Sequence, residues 1–230
     1  MSTISYLVTC STETDSFKKL LKAISQSKLA TDEIVILMDS AFANESNETY
    51  NIVGAFHHWE GSKILTHSLN KDYGSYKNYG IENCSGDFIF QCDADEMPPE
   101  SLMGENIHGL VDTNPNIEAY AVPRINAWIG LTPEHAKQWG WPLDISPTYQ
   151  RFRAAWPDYQ WRLFKNTPNI RFKNRLHERI EGYKSYAILP AEEEWALYHD
   201  KTIETQIKTN LRYNEWFTAA ENAGVSNPRT

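Results

Sequence analysis

The sequence predicts an α/β fold built on a doubly wound, mainly parallel sheet. Short apolar runs of strand length recur over the first hundred residues, segments with helical periodicity separate them, and each run stops at polar or acidic residues. Ligands in such folds gather outside the carboxyl ends of the strands. Three polar features fall at those ends: the loop from Thr9 to Thr12, Asp39, and an acidic cluster that begins at Asp93.

Ile4 to Thr9 reads as the first strand. The following CSTETDS supplies Ser, Thr and Asp caps for a helix that carries Phe17, Leu20, Leu21 and Ile24 on one face. EIVILM (33–38) is a near-continuous apolar strand ending at Asp39, KILTHSL (63–69) a third strand, YKNYGIEN a helix and DFIFQC a fourth strand. Beyond residue 100 the pattern predicts a helix from Ser101 to Asp112, a strand AYAVPR (119–124), and a Trp- and Pro-rich stretch of loops to Pro157. Short strands follow in YQWRLFK, IRFKN, HERIEG and EEWALYH, then a helix from Thr202 to Ala223 with Ile203, Ile207, Leu211 and Phe217 near helical spacing, and a frayed tail GVSNPRT.

A chain of 230 residues with 41% apolar content suits one compact domain. Its net charge of −8 excludes a surface that binds nucleic acid everywhere, although an acidic average can hide a local basic face. The start MSTISYLVTC lacks a basic lead, and nowhere do about 18 apolar residues run together, so neither a signal peptide nor a membrane span is expected. Cys10, Cys84 and Cys92 are odd in number and lack metal-ligand spacing, which suits free thiols in a reducing, cytoplasmic compartment. Eight Trp and twelve Tyr supply rings of the kind that line sugar and base sites, though most single rings serve the core.

The cluster DFIFQCDADEMP (87–98) carries the chemistry. Strand side chains alternate with a period of two, so a D-x-D at the end of a buried strand sets Asp93 and Asp95 on the same side of the chain. Paired carboxylates suit Mg²⁺ or Mn²⁺, with substrate phosphate oxygens completing the shell. An isolated D-x-D is more often a solvated acidic turn. An EF-hand is disfavoured because Pro98 stands where that loop needs Gly. A phosphatase of the haloacid dehalogenase type would place its D-x-D near the start of the core, and a sugar-phosphate nucleotidyltransferase would carry a Gly-rich loop after the first strand.

Taken together, ISYLVTCSTETDSFKKLLKAI, EIVILMDS, YGSYKNYGIENCSGDFIFQCDADE, RLFKNTPNIRFKNRLHERIEG and LYHDKTIETQIKTNLRYNEW resemble the family 2 glycosyltransferases of the GT-A fold, in particular the small branch related to lipopolysaccharide core glucosyltransferases. The resemblance spans most of residues 3–217. It implies a single domain: a nucleotide-sugar half over about 1–100, an acceptor half with a smaller mixed sheet over about 101–200, and a C-terminal helix over about 201–225. It further implies that Thr9, Ser11 and Asp39 hold base and ribose, and that Asp93 and Asp95 hold Mn²⁺ or Mg²⁺ on a nucleotide-sugar diphosphate, most often that of a UDP-sugar. His199 completes the metal site in this reading, with His177 as competitor.

Within the D-x-D, Asp95 is the expected direct ligand and Asp93 faces the ribose or binds through water. Glu96 has no assigned role and is the most replaceable of the three acids. Glu178 matches the place of the base in an inverting single displacement, with Glu181 as its rival, and Lys77 is placed to contact the diphosphate. The turn MDSAFANESNET departs from the family pattern. Residues 126–157 match nothing in it and are assigned to the acceptor pocket.

From Arg151 to Lys184 there are nine Lys or Arg against three acids, interleaved with Trp156, Tyr159, Trp161, Phe164 and Phe172. Such a mixture suits an anionic acceptor, and a salt-bridged surface equally. A phosphorylated glycan of the lipopolysaccharide type is the favoured acceptor. DNA carrying hydroxymethylated bases, as bacteriophages glucosylate it, is the alternative, and a base would then have to be flipped to reach Glu178. These acceptors place the chain in the cytoplasm, at the inner membrane's periphery, or in a host cell if viral. A transferase that has lost turnover and only binds nucleotide-sugar or glycan is a further alternative.

Overall fold

A computed structural model of the chain describes residues 1–56, 59–199 and 201–222. At its centre a seven-stranded sheet grows outward from β1 (Ile4–Cys10), every residue of which is buried. β1 lies between β2 (Glu33–Asp39) and β4 (Phe88–Asp93), with β3 (Ser62–His67) at the edge beyond β2, and all four run parallel. Beyond β4 the order continues through β10 (Gln160–Lys165), β6 (Ala119–Val122) and β13 (Tyr186–Ile188). Only β10 runs against its neighbours in this sheet.

Strands buried on both faces need cover on both faces, which is why β1, β2 and β4 read as continuous apolar runs. On one face α1 (Asp15–Ser27), through Phe17, Leu20, Leu21 and Ile24, and α4 (Gly104–Thr113), through Ile107 and Val111, pack on Tyr6, Val8, Ile34 and Phe90. α2 (Glu48–Ala55) adds Ile52 and Val53 to that cluster. On the other face α3 (Tyr73–Glu82) and the hairpin of β11 (Arg171–Lys173) and β12 (Arg179–Glu181) bury Tyr76, Ile81, Phe172 and Ile180 against Leu7, Val35 and Leu37.

Parallel pairing in register sets the functional edge. Thr9 lies opposite Asp93 and Cys10 opposite Met38, so the chain leaves the sheet at Thr9, Asp39 and Asp93 along one line. A three-stranded sheet stands beside this edge: β14 (Leu197–His199) pairs antiparallel with β5 (Glu96–Met97) and parallel with β7 (Arg124–Ile125). The stretch 126–157, expected as loops, also contains α5 (Pro133–Trp139) and a hairpin of β8 (Leu143–Ser146) and β9 (Arg151–Ala154). Thr132, Pro133 and Gly140 punctuate α5 as cap, first residue and left-handed stop. α6 (Ile203–Trp216) and the short α7 (Ala219–Asn222) close the described chain. Ile203 is buried while Ile207 and Leu211 stay exposed, so only part of the anticipated apolar face of α6 meets the core. The expected helix end at Ala223 and the tail after it lie outside the described residues.

Candidate active site

A cleft of about 680 Å³ opens over the carboxyl edge of the sheet. It is lined by Thr9, Ser11, Asp39, Lys77, Asp93, Asp95, Glu178 and His199, together with His177. These residues come from the ends of β1, β2, β4 and β14, from α3 and from the loop before β12. Glu181 is not among the lining residues; it is exposed and pairs with Arg179 at 3.2 Å.

The two carboxylates of the D-x-D face different partners, because β4 ends at Asp93 and the chain turns at Ala94 and Asp95, so strand alternation stops between them. Asp93 is held from below: its Oδ1 accepts from the Thr9 hydroxyl at 2.7 Å and lies 2.9 Å from Lys77 Nζ, while its Oδ2 lies 2.7 Å from Arg162 Nη2. Burial opposes ionisation, yet Arg162 and Lys77 outweigh it and hold the Asp93 carboxyl well below its ordinary range. Its oxygens are therefore already engaged by protein cations and a hydroxyl.

Asp95 looks the other way. Pairing of His199 with Glu96 across β14 and β5 brings the imidazole beside the turn, with Nε2 3.1 Å from Asp95 Oδ2. Burial again resists, but His199 and Lys201 bring the Asp95 carboxyl down to about 2. The other ring nitrogen, Nδ1, is 2.8 Å from the Asn126 side-chain oxygen. His177, by contrast, reaches the Asn222 carbonyl at 3.1 Å. Among the described residues no three His, Cys, Asp or Glu side chains are grouped to hold a metal ion. The donors that fit a hard divalent cation are the Asp95 and His199 pair, an incomplete set that diphosphate oxygens and water would have to complete.

Glu178 sits on a loop whose Asn174 and His177 take left-handed backbone angles, φ 73° and 52°. The loop is clamped to α3: Tyr73 N donates to the Arg175 carbonyl at 2.9 Å, and the Asn78 amide bonds both backbone polar groups of Phe172. Glu178 Oε1 lies 2.7 Å from Lys77 Nζ, and the lysine side chain is only 3% exposed. Lys77 thus forms part of the cleft's floor, its ammonium taken by Asp93 and Glu178.

Beneath the cleft runs a layer of buried charge that the sequence reading did not resolve. Arg162, at 4% exposure, pairs with Asp93, with Glu96 at 2.6 Å and with the Gln91 side-chain oxygen. Glu96, 2% exposed, also takes Arg124 at 2.9 Å and the Asp93 backbone N–H at 3.2 Å. The structure therefore reverses the expectation that Glu96 is replaceable: it is the carboxylate between two arginines. The visible signal was a single Arg inside each apolar strand, in QWRLFK and in AYAVPR. Glu13 was also missed. Its carboxylate accepts from Ser11 N at 2.7 Å and Thr12 N at 3.0 Å, ordering the loop, and burial followed by repulsion from Asp95 raises its pKa; the hydroxyl cap expected for α1 is not made, since Thr14 at the cap position bonds no helix N–H through its side chain.

The basic segment 151–184 is not one face. Arg153 is buried against Asp144 and Glu193, Arg162 lies under the cleft, and Lys165 and Arg171 hold backbone carbonyls. Arg151, Lys173, Arg175 and Lys184 remain exposed. Among the described residues, Lys201, Lys208 and Arg212 line the cleft without a carboxylate in ion-pair range.

A parallel sheet in the order 3-2-1-4, extended by one antiparallel strand, with a D-x-D at its carboxyl edge, is the GT-A arrangement. The sequence model of glycosyl transferase family 2 matches residues 5–184, and the chain belongs to that family. A search of curated proteins finds no significant match. Among solved structures, residues 1–349 of S. aureus TarS align with a TM-score of 0.56 at 12% identity, covering 97% of this chain and 66% of that one. The same TarS piece in complex with UDP-GlcNAc aligns at 0.57 and 13%, covering 86% and 58%, and its UDP complex at 0.56 and 12%, covering 90% and 63%. The chain thus spans less than two thirds of these relatives' length. At such identity the likeness speaks for the fold. No helix among the described residues is long and apolar enough to cross a membrane.

Proposed function

We propose that the chain is an inverting glycosyltransferase that moves a sugar from a nucleotide-sugar, a UDP-sugar by preference, to a hydroxyl of an anionic acceptor. The observation that carries this is the convergence of Glu178 and the Asp95–His199 pair in one cleft at the carboxyl edge of a family 2 fold. The TarS complexes with UDP-GlcNAc and UDP support the choice of carrier.

In this reading Thr9, Ser11 and Asp39 border the base and ribose, and Glu178 accepts the acceptor's hydroxyl proton as that oxygen attacks the anomeric carbon. Lys77 keeps Glu178 aimed, 2.7 Å from its Oε1. Asp95 and His199 are the residues that would hold Mn²⁺ or Mg²⁺, which offsets charge on the departing diphosphate. Lys201 and Arg212 take the diphosphate contacts that the sequence reading assigned to Lys77, because they face the cleft unpaired while Lys77 lies beneath it. Asp93 acts as the anchor that keeps Lys77 and Arg162 in place. For the acceptor we retain a phosphorylated glycan of the lipopolysaccharide type, met by the exposed cations of 151–184.

The test is a thermal-shift screen of nucleotide-sugars with and without Mn²⁺, followed by transfer assays on Glu178→Gln. Selective stabilisation by one donor is expected, with transfer reduced by about 10²–10⁴-fold in the variant and donor binding retained. Turnover preserved in Glu178→Gln removes the base assignment. Salt-sensitive binding to duplex DNA would move the acceptor class to nucleic acid.

A further inference from the structure

The two arginines of β9 have different surroundings. Arg153 is buried, with Nε 2.7 Å from Asp144 Oδ1 and Nη1 2.7 Å from Glu193 Oε1. Arg151 is exposed, its guanidinium carbon 5.9 Å from the centre of the Tyr149 ring, and among the described residues no carboxylate stands in ion-pair range of it. Arg151 lines a second cavity, of about 290 Å³, together with Gln150 and the apolar side chains of Trp128, Leu131, Ile145 and Phe152. Trp128 is a wall of this cavity and of the cleft alike.

β9 runs from one to the other. Gln150, just before it, borders the second cavity and Ala155, just after it, borders the cleft, so an extended chain of about 17 Å separates the two. Gln150 and Ala155 both take left-handed backbone angles, φ 52° and 58°, which are uncommon for residues with a Cβ. The strand between them is fixed to the body of the protein. Ala154 N donates to the Asn126 carbonyl at 3.1 Å and Ala155 N to the Pro142 carbonyl at 2.9 Å, while the Ser146 hydroxyl of the partner strand donates to Glu193 Oε1 at 2.7 Å. The bonds that hold Arg153 and its strand therefore also set where Arg151 stands.

Apolar walls with one unpaired guanidinium fit a sugar that carries a phosphate: the C–H face of the ring lies on the apolar side chains and the phosphate takes the fork of N–H donors. A nucleic-acid backbone calls for a row of cations, and Arg151 is the only Lys or Arg among the residues lining this cavity. We infer that the second cavity is an acceptor subsite for a phosphorylated sugar of the glycan other than the one that receives the transfer, with Arg151 as its specificity-determining residue. The inference rests on the proposed reading of the cleft as a transferase site with a phosphorylated glycan acceptor, and it adds which cation of 151–184 reads the phosphate and where.

The probes are lipopolysaccharide inner-core oligosaccharide and the same oligosaccharide stripped of phosphate. Both are titrated into the protein in the presence of UDP, then used as acceptors with the donor that the thermal-shift screen selects. The parent should bind the phosphorylated form about 10-fold more tightly, the scale of one charged hydrogen bond. Arg151→Gln should lose that preference, through KM rather than kcat, and Arg151→Lys should keep part of it. Lys137→Gln, which removes an exposed cation of α5 outside both cavities, should keep all of it. A parent that binds both forms equally, or neither, overturns the inference, and so does an Arg151→Gln protein with the parental preference. Salt-sensitive binding of duplex DNA or of phosphatidylglycerol vesicles that is lost in Arg151→Gln assigns the cavity to another partner and overturns it as well. A preference that Arg151→Gln abolishes in a parent that transfers no sugar removes the transferase reading and leaves the subsite standing.

Discussion

Lys77 and Glu178 form a 2.7 Å ion pair in the floor of the cleft, and the same ammonium lies 2.9 Å from Asp93. Burial works against the charge on Lys77, but the two carboxylates outweigh it and raise its pKa above the ordinary value. A base held this way is oriented before any acceptor arrives. Lys77→Met should lower kcat by about 10²-fold, the scale of a misplaced reacting group, and cost on the order of 3 kcal/mol for an unpaired buried charge. Transfer kinetics beside denaturation curves separate the two effects. Unchanged kcat in a folded variant would show that Glu178 needs no such partner.

Glu96 tests the buried layer beneath the cleft. Its carboxylate lies between Arg162 and Arg124, with a fully buried side chain. Glu96→Ala should destabilise by about 3–5 kcal/mol, the loss seen when one partner of a buried pair is removed, which for a chain of this size is a Tm decrease of roughly 6–20 °C. Glu96→Gln, which keeps an acceptor of the same shape, should lose less. A Tm within about 2 °C of the parent for Glu96→Ala would assign the arginines' stability to Asp93 and Asp158 alone.

The contrast between Glu96 and Asp95 shows what the sequence could and could not disclose. The strands β1, β2 and β4 were legible because burial on both faces forces continuous apolar runs, and the acidic cluster was legible because it ends one of them. Which acid faces which partner was not, since that depends on the turn after Asp93 and on β14 arriving from a hundred residues away. Arg162 was counted with a basic surface for the same reason: composition cannot tell a solvated cation from one enclosed by three acceptors. The helix α2 and the hairpin of β8 and β9 escaped because ETYNIVGA and LDISPTYQRFRA are short and carry weak periodicity, and tertiary contacts define them.

Donor affinity should depend on the cations at the mouth rather than in the floor. Lys201 and Arg212 line the cleft, and burial lowers the pKa of Lys201 despite the pull of Asp95, which is the state of a cation short of an anion. Replacing either by Ala should raise the donor KM or the Kd for UDP by about 10–100-fold, corresponding to the loss of one charged hydrogen bond at about 1.5–3 kcal/mol. Isothermal titration with UDP is the direct reading. An unaltered Kd in both variants would return the diphosphate to some other part of the cleft.

Acid should unfold the metal-free protein through this same cluster. The carboxyls of Asp93 and Asp158 lie below their ordinary range and that of Asp95 is down to about 2. A depressed carboxyl contributes stability that is complete above its unfolded pKa of about 3.9 and is lost as pH falls through the folded value. Asp95 alone contributes on the order of 2 kcal/mol, since one unit is about 1.4 kcal/mol. Urea denaturation between pH 5 and pH 2 should therefore show stability declining below about pH 4, with a shallower decline in Asp158→Asn. A flat profile would contradict the depressed carboxyls.

Gly74, the second residue of α3, governs where Glu178 stands. A Cβ built on it would collide with the Asn174 carbonyl oxygen, because the loop from Asn174 to Glu178 crosses directly over the helix start and is tied there by the Tyr73 bond to Arg175. The obstructing atom is backbone, so the loop itself must yield in Gly74→Ala. Asn174 and His177 already occupy left-handed conformations with little latitude, and displacement passes to Glu178 and its bond with Lys77. The expected result is kcat lower by about 10²-fold, as for a displacement near 1 Å at a reacting group. UDP affinity should remain close to the parent's, because Thr9, Ser11 and Asp39 border the cleft from other strands. Gly54→Ala is the control: nothing lies within 4 Å of its added Cβ, and Ala in a helix interior gains about 0.5–1 kcal/mol over Gly. Parental kcat in Gly74→Ala would show that the Glu178 loop absorbs the shift without moving its carboxylate.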